Sequence, residues 1–355
     1  MSAKPRQGRV KCVVWDLDNT VWDGVLLEGD DLRLKQDVVA VIRELDALGV
    51  LHSIASKNDH DAAIAKLVEF GIEEYFIYPQ IGWSAKSEGL RQIAQSINIG
   101  IDALAFVDDQ EFERAEVNHA VPEVIVVDVA DLHDAVAAPE FRPRFVTAES
   151  AERRHLYRTQ IARAEAQDSF VGPSDEFLAS LEMVFSIKHA RQEDLQRAEE
   201  LTVRTNQLNS TGRTYSYEEL DALRTSPEHL LLVATLDDRF GGYGTIGLCL
   251  VEKGETAWYL RLLLMSCRVV SRGVGTVLLN HVIGLAAEAG LPLRADFVET
   301  GRNRMMQITY AFAGFTEVER DGDRVVLERA SLQVAPHPAT VTVVTDAAPE
   351  TVGAA

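Results

Sequence analysis

Between Arg9 and Asp128 short apolar runs alternate with amphipathic stretches, and this alternation leaves the chain few ways to fold. The runs VKCVVWDLD, VLHSIAS, EYFIY, ALAFVDD and VIVVDV are each too short for a helix and rich in Val and Ile, the pattern of strands buried in a parallel sheet. Between them QDVVAVIRELDALG ends on a glycine suited to a left-handed cap, and SAKSEGLRQIAQSIN opens with Ser84, a residue able to cap its own helix. The alternation predicts an α/β fold of βα units.

After Pro139 the character changes. Residues 139–180 carry few large aliphatics and one basic helix, which reads as a linker. From about Leu181 the runs HLLLVATL, TIGLCLVE and AWYLRLLLMSC, separated by DDRFGGYG and EKGE, predict an antiparallel meander. A long helix, a strand (LPLRADFVE) and a last helix then complete an α+β unit. The expected division is 1–138, a linker over 139–180, 181–331, and a loosely ordered tail over 332–355. With 355 residues the chain has room for two domains.

Composition excludes several function classes. Hydrophobic residues make up 46% and charged residues 25%, as in ordinary soluble proteins. A formal charge of -20 opposes binding to nucleic acid or anionic lipid. No stretch reaches the ~20 apolar residues that span a bilayer, so no membrane partner is expected. The first residues are basic and polar with no long apolar run behind them, so no leader is expected either. Cys12, Cys249 and Cys267 are too few and scattered for a disulfide framework or a zinc site, which fits a reducing cytoplasm.

Chemistry concentrates at the strand ends. Asp16 and Asp18 leave the first strand two residues apart, Ser56, Lys57 and Asn58 follow the second, and Asp108 and Asp109 end the fourth. Parallel sheets bind ligands at this edge, and so many carboxylates converging there require a cation. Mg²⁺ takes one or two carboxylates plus substrate phosphate oxygens. Thr20, Ser56, Lys57, Asn58 and Lys86 are the candidate phosphate holders, Lys86 standing near a helix start that attracts anions.

Taken in order, D-x-D-x-T, then Ser, then Lys, then Asp-Asp resembles the haloacid-dehalogenase (HAD) phosphotransferases over residues 9 to 130. The resemblance implies a Rossmannoid sheet, with Asp16 as nucleophile and Asp18 as acid/base. It also implies that Asp16, Asp108 and the Asp18 carbonyl hold Mg²⁺ with Asp109 close by. Only VWDGVLLEGDDLRLK separates the first strand from the first long helix, room for a hairpin flap but not a cap domain.

The second half resembles the GNAT acetyltransferases, with Asn303, Tyr310 and Gly314-Phe315 in its closing helix region. The coenzyme A turn of that family is incomplete: SRGVG supplies Gly273 and Gly275, but Val270 stands where Arg or Gln belongs. Cys267, between Ser266 and Arg268 and before a helix start, sits where a thiol pKa falls, although free cysteine is more often core. Tyr310 is a candidate general acid or a core residue.

The two halves together, VKCVVWDLDNTVW, ASKNDHD, IGWSAKS and FVDDQEFERAEV with LTVRTNQLNSTG, MSCRVVSRG and NRMMQITYAFAGF, resemble the FkbH-like family. That resemblance implies a glyceryl transferase and phosphatase. It would act on D-1,3-bisphosphoglycerate and load a D-glyceryl thioester onto the phosphopantetheine of an acyl carrier protein, for a methoxymalonyl-type polyketide extender unit. Asp16, Asp18 and Cys267 would be catalytic, and Arg268, Gly273, Gly275, Asn303 and Tyr310 would line the pantetheine and acyl site. An acidic carrier needs a basic landing patch, for which Arg153, Arg154, Arg158 and Arg163, or Arg302 and Arg304, are available. The alternatives are a HAD-type small-molecule phosphatase whose second domain is a lid or dimerisation module, a carrier-binding scaffold without catalysis, and an N-acyltransferase using coenzyme A.

Overall fold

The structure is a computed structural model that describes residues 7–143, 146–205, 207–331 and 333–346, apart from the side chains of residues 148, 267 and 271. It divides into two compact units, Met1–Arg158 and Thr159–Ala355. The first contains β1 (Cys12–Trp15), β2 (Trp22–Asp23), β3 (Arg33–Leu34), α1 (Gln36–Ala47), β4 (Leu51–Ser56), α2 (His60–Glu69), β5 (Gln80–Ile81), α3 (Lys86–Ile97), β6 (Leu104–Asp108), α4 (Glu111–Ala120), β7 (Ile125–Asp128), α5 (Leu132–Val136) and α6 (Ala148–Ala151). Helix α7 (Arg153–Asp168) runs across the boundary.

The first sheet has the order β5-β4-β1-β6-β7 and is parallel throughout. All four residues of β1 are buried, as expected of a central strand covered on both faces. Because β4 and β6 flank β1, the residues leaving the carboxyl ends of these three strands are neighbours. The run EYFIY does not form its expected strand: Glu73–Tyr75 is a 3₁₀ turn, Phe76 makes one isolated bridge to His52, and the next strand is Gln80–Ile81. Tyr78, with φ +49°, turns the chain too sharply there for an extended run.

Helix α1 does end on its glycine. Gly49 has φ +77°, and a Cβ there would lie 2.5 Å from the Ser150 carbonyl oxygen, so the position admits no side chain. Helix α3 starts two residues later than expected, at Lys86, and Ser84 does not cap it. Glu116 from α4 does so instead, accepting from the Ser87 amide at 3.2 Å and the Ser87 hydroxyl at 2.6 Å. That arrangement puts Lys86 in the first helical position, pointing at the sheet edge.

The second unit continues with α8 (Ser174–Ser180), β8 (Met183–His189), α9 (Leu195–Arg204), α10 (Tyr217–Thr225), β9 (His229–Asp238), β10 (Gly241–Lys253), β11 (Trp258–Met265), α11 (Val274–Glu288), β12 (Leu293–Val298), α12 (Arg304–Phe312), β13 (Thr316–Asp321), β14 (Arg324–Arg329) and β15 (Val341–Thr345). Its sheet has the order β13-β14-β12-β11-β10-β9-β8-β15. The β9-β10-β11 part is the expected antiparallel meander, which β8 extends antiparallel to β9, whereas β11 and β12 run parallel. One face carries a core with Val277, Val282 and Tyr310 of α11 and α12, the other a core with Leu195, Leu201 and Leu220 of α9 and α10. The fold class is thus a HAD-like Rossmannoid α/β unit followed by an α+β unit of GNAT-like architecture. Strand β15, within the stretch read as a tail, pairs in parallel with β8. No helix among the described residues is long and apolar enough to cross a membrane.

The arginines of α7 are not a free docking patch, because each already has a structural partner. Arg154 meets Asp46 at 3.1 Å and Glu74 at 2.8 Å, Arg158 meets Glu73 at 3.3 Å, and Arg153 donates to the Gly49 carbonyl at 2.5 Å. Arg163, 1% exposed, forks onto Asp238 at 2.7 and 2.9 Å and lies 3.7 Å from the Tyr243 ring centroid. The Tyr243 hydroxyl donates to the same carboxylate at 2.9 Å, and its pKa is pushed up to about 12, chiefly by burial. Removing one partner strands the other charge in the interior. Arg163→Met is expected to cost about 3–5 kcal/mol in urea unfolding of the second unit, and Arg163→Met with Asp238→Leu to recover most of that loss.

Candidate functional site

The site at the edge of the first sheet is built from the three strands that end together. Asp16 follows β1, Ser56 ends β4 and Asp108 ends β6, and all three are buried. Lys86 reaches in from α3, with Nζ 2.7 Å from Asp16 Oδ1 and in contact with Asp108. Desolvation raises the Asp16 pKa to about 6, with Asp108 adding to the rise while Lys86 and the Ser56 hydroxyl oppose it. Asp108 is raised by burial as well, and Lys86 again opposes the shift. Burial works against charge on Lys86, but the two carboxylates outweigh it and hold its pKa above the ordinary lysine value.

Asp16, Asp108 and Asp109 each offer an oxygen, all within 4.8 Å of one another. A set of hard carboxylate oxygens around one point suits a small divalent cation, and Mg²⁺ fits this donor set. Thr20 is not turned toward a ligand. Its Oγ1 accepts from the Asp109 amide at 3.1 Å and donates to Asp109 Oδ1 at 3.4 Å, so it fixes the loop that carries the third carboxylate. Lys57 is also committed elsewhere, to Glu113 at 2.7 Å, which argues against its expected role as a phosphate holder.

Asp18 stands outside the carboxylate cluster. Its Oδ1 accepts from the Trp22 indole at 2.8 Å and the Leu26 amide at 3.1 Å, and its Oδ2 from Asn58 at 3.0 Å. Asn58, read from sequence as a phosphate ligand, thus orients Asp18 instead. The β2–β3 hairpin that supplies Trp22 is the expected flap, and Asn19 opens it with φ +54° while accepting from the Gly24 amide at 3.0 Å. Trp22 was missed as a site residue because a buried tryptophan after a strand reads as core. A narrow cleft lined by Ser56, Gln80, Gly82, Ser84 and Lys86 opens beside the cluster.

In the second unit the LNST part of LTVRTNQLNSTG has a structural task. Strands β11 and β12 pair only over Trp258–Leu260 with Leu293–Ala295 and then part. Leu208 and Ser210 fill the gap: the Met265 amide donates to Leu208 O at 2.9 Å, the Ser210 amide to Leu263 O at 3.0 Å, and the Val298 amide to Ser210 O at 3.0 Å. Asn303 locks this wedge, donating to Asn209 O at 3.0 Å and Val298 O at 2.8 Å. At 1% exposure its side chain is a structural clip. Tyr310 has no exposed surface and makes edge contacts with Phe297 and Phe315, with its pKa raised by burial; it sits in the core.

Cys267 begins a 3₁₀ turn, Cys267–Arg272, whose N-cap is Ser266; its own side chain lies outside the described residues. The Ser266 hydroxyl accepts from the Arg268 amide at 3.4 Å and from Arg268 Nε at 3.2 Å. Gly273, with φ +72°, joins this turn to α11, a conformation that requires glycine. Gly275 is less constrained, since a Cβ there would make only ordinary contact with Met265 at 3.5 Å. Both glycines line an apolar cleft with Leu208, Val270, Met305 and Thr309. Cys12 and Cys249 are buried packing residues whose thiols are pushed up by desolvation.

No family model matches the chain. Over 127 residues, 30% of the chain, it is 27% identical to human magnesium-dependent phosphatase 1 and spans 72% of that protein. Among solved structures, the N-terminal part of a Bacteroides fragilis protein, containing a phosphatase domain complexed with Mg, is 25% identical at a TM-score of 0.32. That likeness covers 38% of the chain but only 40% of the Bacteroides chain. PaiA N-acetyltransferase from Thermoplasma acidophilum in complex with coenzyme A is 17% identical at a TM-score of 0.34, over 41% of the chain and 98% of that structure. The chain is thus similar in sequence to a magnesium-dependent phosphatase over 30% of its length.

Proposed function

We propose that the chain is a glyceryl transferase with HAD-type phosphatase activity, residues 1–138 forming the phosphatase domain, 139–180 the linker and 181–331 the acyl-transferring domain. Its substrate is D-1,3-bisphosphoglycerate, and its product is a D-glyceryl thioester on the phosphopantetheine of an acyl carrier protein, the precursor of a methoxymalonyl-type extender unit. The observation that carries the phosphatase half is the convergence of buried Asp16 and Asp108 with half-buried Asp109 at one sheet edge, Lys86 pairing with the first two. Likeness to a magnesium-dependent phosphatase supports it. The transfer half is supported by the FkbH-like motifs, by the cysteine at a capped turn, and by an apolar cleft in place of a complete coenzyme A turn.

In the phosphatase step Asp16 attacks phosphorus and the bond to the leaving oxygen breaks, with Asp18 delivering a proton to that oxygen. Water then attacks the aspartyl-phosphate, Asp18 takes the water proton, and inorganic phosphate leaves. Lys86 and Ser56 neutralise the phosphoryl oxygens, and the Asn58 and Trp22 hydrogen bonds aim Asp18. Asp16, Asp108 and the Asp18 carbonyl would hold Mg²⁺ with Asp109 close by, and the ion would supply charge neutralisation at the phosphoryl group. In the transfer step the Cys267 thiolate attacks the acyl carbon of the acyl phosphate and expels phosphate. The pantetheine thiol then takes the acyl group and returns the thiol to Cys267.

Intact-protein mass spectrometry with Mg²⁺, 1,3-bisphosphoglycerate and a phosphopantetheinylated carrier is expected to show a glyceryl adduct on the carrier. Phosphate release without any adduct would overturn the transfer reading. Cys267→Ala should lose loading; normal loading by that variant would exclude the cysteine. Asp16→Asn, or chelation of the metal, should abolish phosphate release. The two lysines separate on geometry: with a generic phosphate ester, Lys86→Ala should lower the hydrolysis rate by at least about 100-fold, whereas Lys57→Ala, whose partner is Glu113, should stay within about fivefold of the parent.

A further inference from the structure

On the face of the second sheet that packs against α9 and α10, a cleft of about 410 Å³ is lined by Arg213, Tyr215, Glu252, Arg261, Asp296 and Arg324, among others. It has no role in the chemistry described above. Its volume is in the range of small-ligand sites. Its lining brings three arginines against two carboxylates, in a chain whose formal charge is -20.

The three arginines are held differently. Leu250 pairs with Leu262 and Val251 with Leu260, so Arg261 is the extra residue of a β-bulge, a device that re-aims a side chain. Its guanidinium is fixed on both sides, by Glu252 at 2.8 Å and Asp296 at 2.9 Å. Arg324, opposite Val298 on β14, reaches Asp296 only at 3.4 Å and is 59% exposed. Arg213 lies 4.4 Å from the Tyr215 ring centroid, with Glu219 at 3.3 Å on its exposed side. Arg261 therefore ties down both floor carboxylates and Arg324 shares Asp296 at the longer distance, while Arg213 meets Glu219, so each of the two rim guanidinium forks still has N–H donors to offer a ligand. Such forks match the oxygens of phosphate and carboxylate groups.

We infer that this cleft binds a small phosphorylated hydroxy acid, its phosphate on Arg213 and Arg324. Thr211 lines this cleft and Leu208 lines the apolar cleft beside the Cys267 turn. Three residue steps separate them, at most about 11 Å, so the ligand is held close to the acyl-transferring end of the unit. The inference rests on the proposed function for the identity of the hydroxy acid as a phosphoglyceryl donor, but its anion chemistry stands on the arginines alone. The phosphate of a pantetheine arm shares that chemistry and is the rival ligand.

The test is calorimetric titration of the full chain in an Asp16→Asn background, with 3-phosphoglycerate as a stable probe. Two binding equivalents are expected, and Arg213→Gln with Arg324→Gln should weaken one of them by at least about tenfold. Arg324→Lys should retain part of that affinity. With Asp16 intact, the Arg213→Gln/Arg324→Gln chain should hydrolyse a generic phosphate ester at the parent rate. A single equivalent in the starting protein, unchanged affinity in the double variant, or tighter binding of 4′-phosphopantetheine at this cleft would overturn the inference. Loss of the second equivalent in a chain that loads no carrier would uphold the cleft and sink the transfer reading.

Discussion

The ammonium of Lys86 makes the first site possible. Two carboxylates buried side by side at the ends of adjacent strands repel one another and lose their hydration, and a single buried cation compensates both. The cation's own position depends on where α3 begins, since Lys86 is its first residue. That start is set by Glu116 from the next helix rather than by a local cap. The geometry at the sheet edge is thus settled by packing between α3 and α4 as much as by the strands themselves.

The same economy governs α7 and the second unit. Arginines that look like a basic surface in the sequence hold structure together, each drawn to a carboxylate or carbonyl, and Asp238 would otherwise lie buried with its charge uncompensated. The wedge at Leu208–Ser210 likewise satisfies backbone groups that β11 and β12 expose when they part. A chain segment thereby does what a neighbouring strand does elsewhere in the sheet.

Much of this was legible in advance. Periodicity gave the parallel sheet and the meander, and the positions of Asp16, Asp18, Ser56 and Asp108 at strand ends and of Lys86 near a helix start were enough to bring them to one edge. Contacts between distant side chains were not legible. Nothing local marks Lys57 as the partner of Glu113, Asn58 as the partner of Asp18, or Thr20 as the clip of Asp109, because those pairings are set by the approach of separate strands and helices. The hairpin of β13 and β14 did leave a trace, a Gly322-Asp323 turn between two strand runs, with Gly322 at φ +58°. The β-bulge at Arg261 left none, since only the register with β10 reveals the extra residue.

The flap that carries Trp22 and Leu26 has a mechanical meaning. Two of the three donors that hold Asp18 belong to this short hairpin, and the third to the loop after β4. Asp18 is therefore moored to a short hairpin rather than to the sheet that carries Asp16. Lifting the hairpin would take two of the three donors from Asp18, whereas Asp16 is carried by the sheet. In the roles proposed above, access to the site and readiness to protonate a leaving group would be a single coordinate.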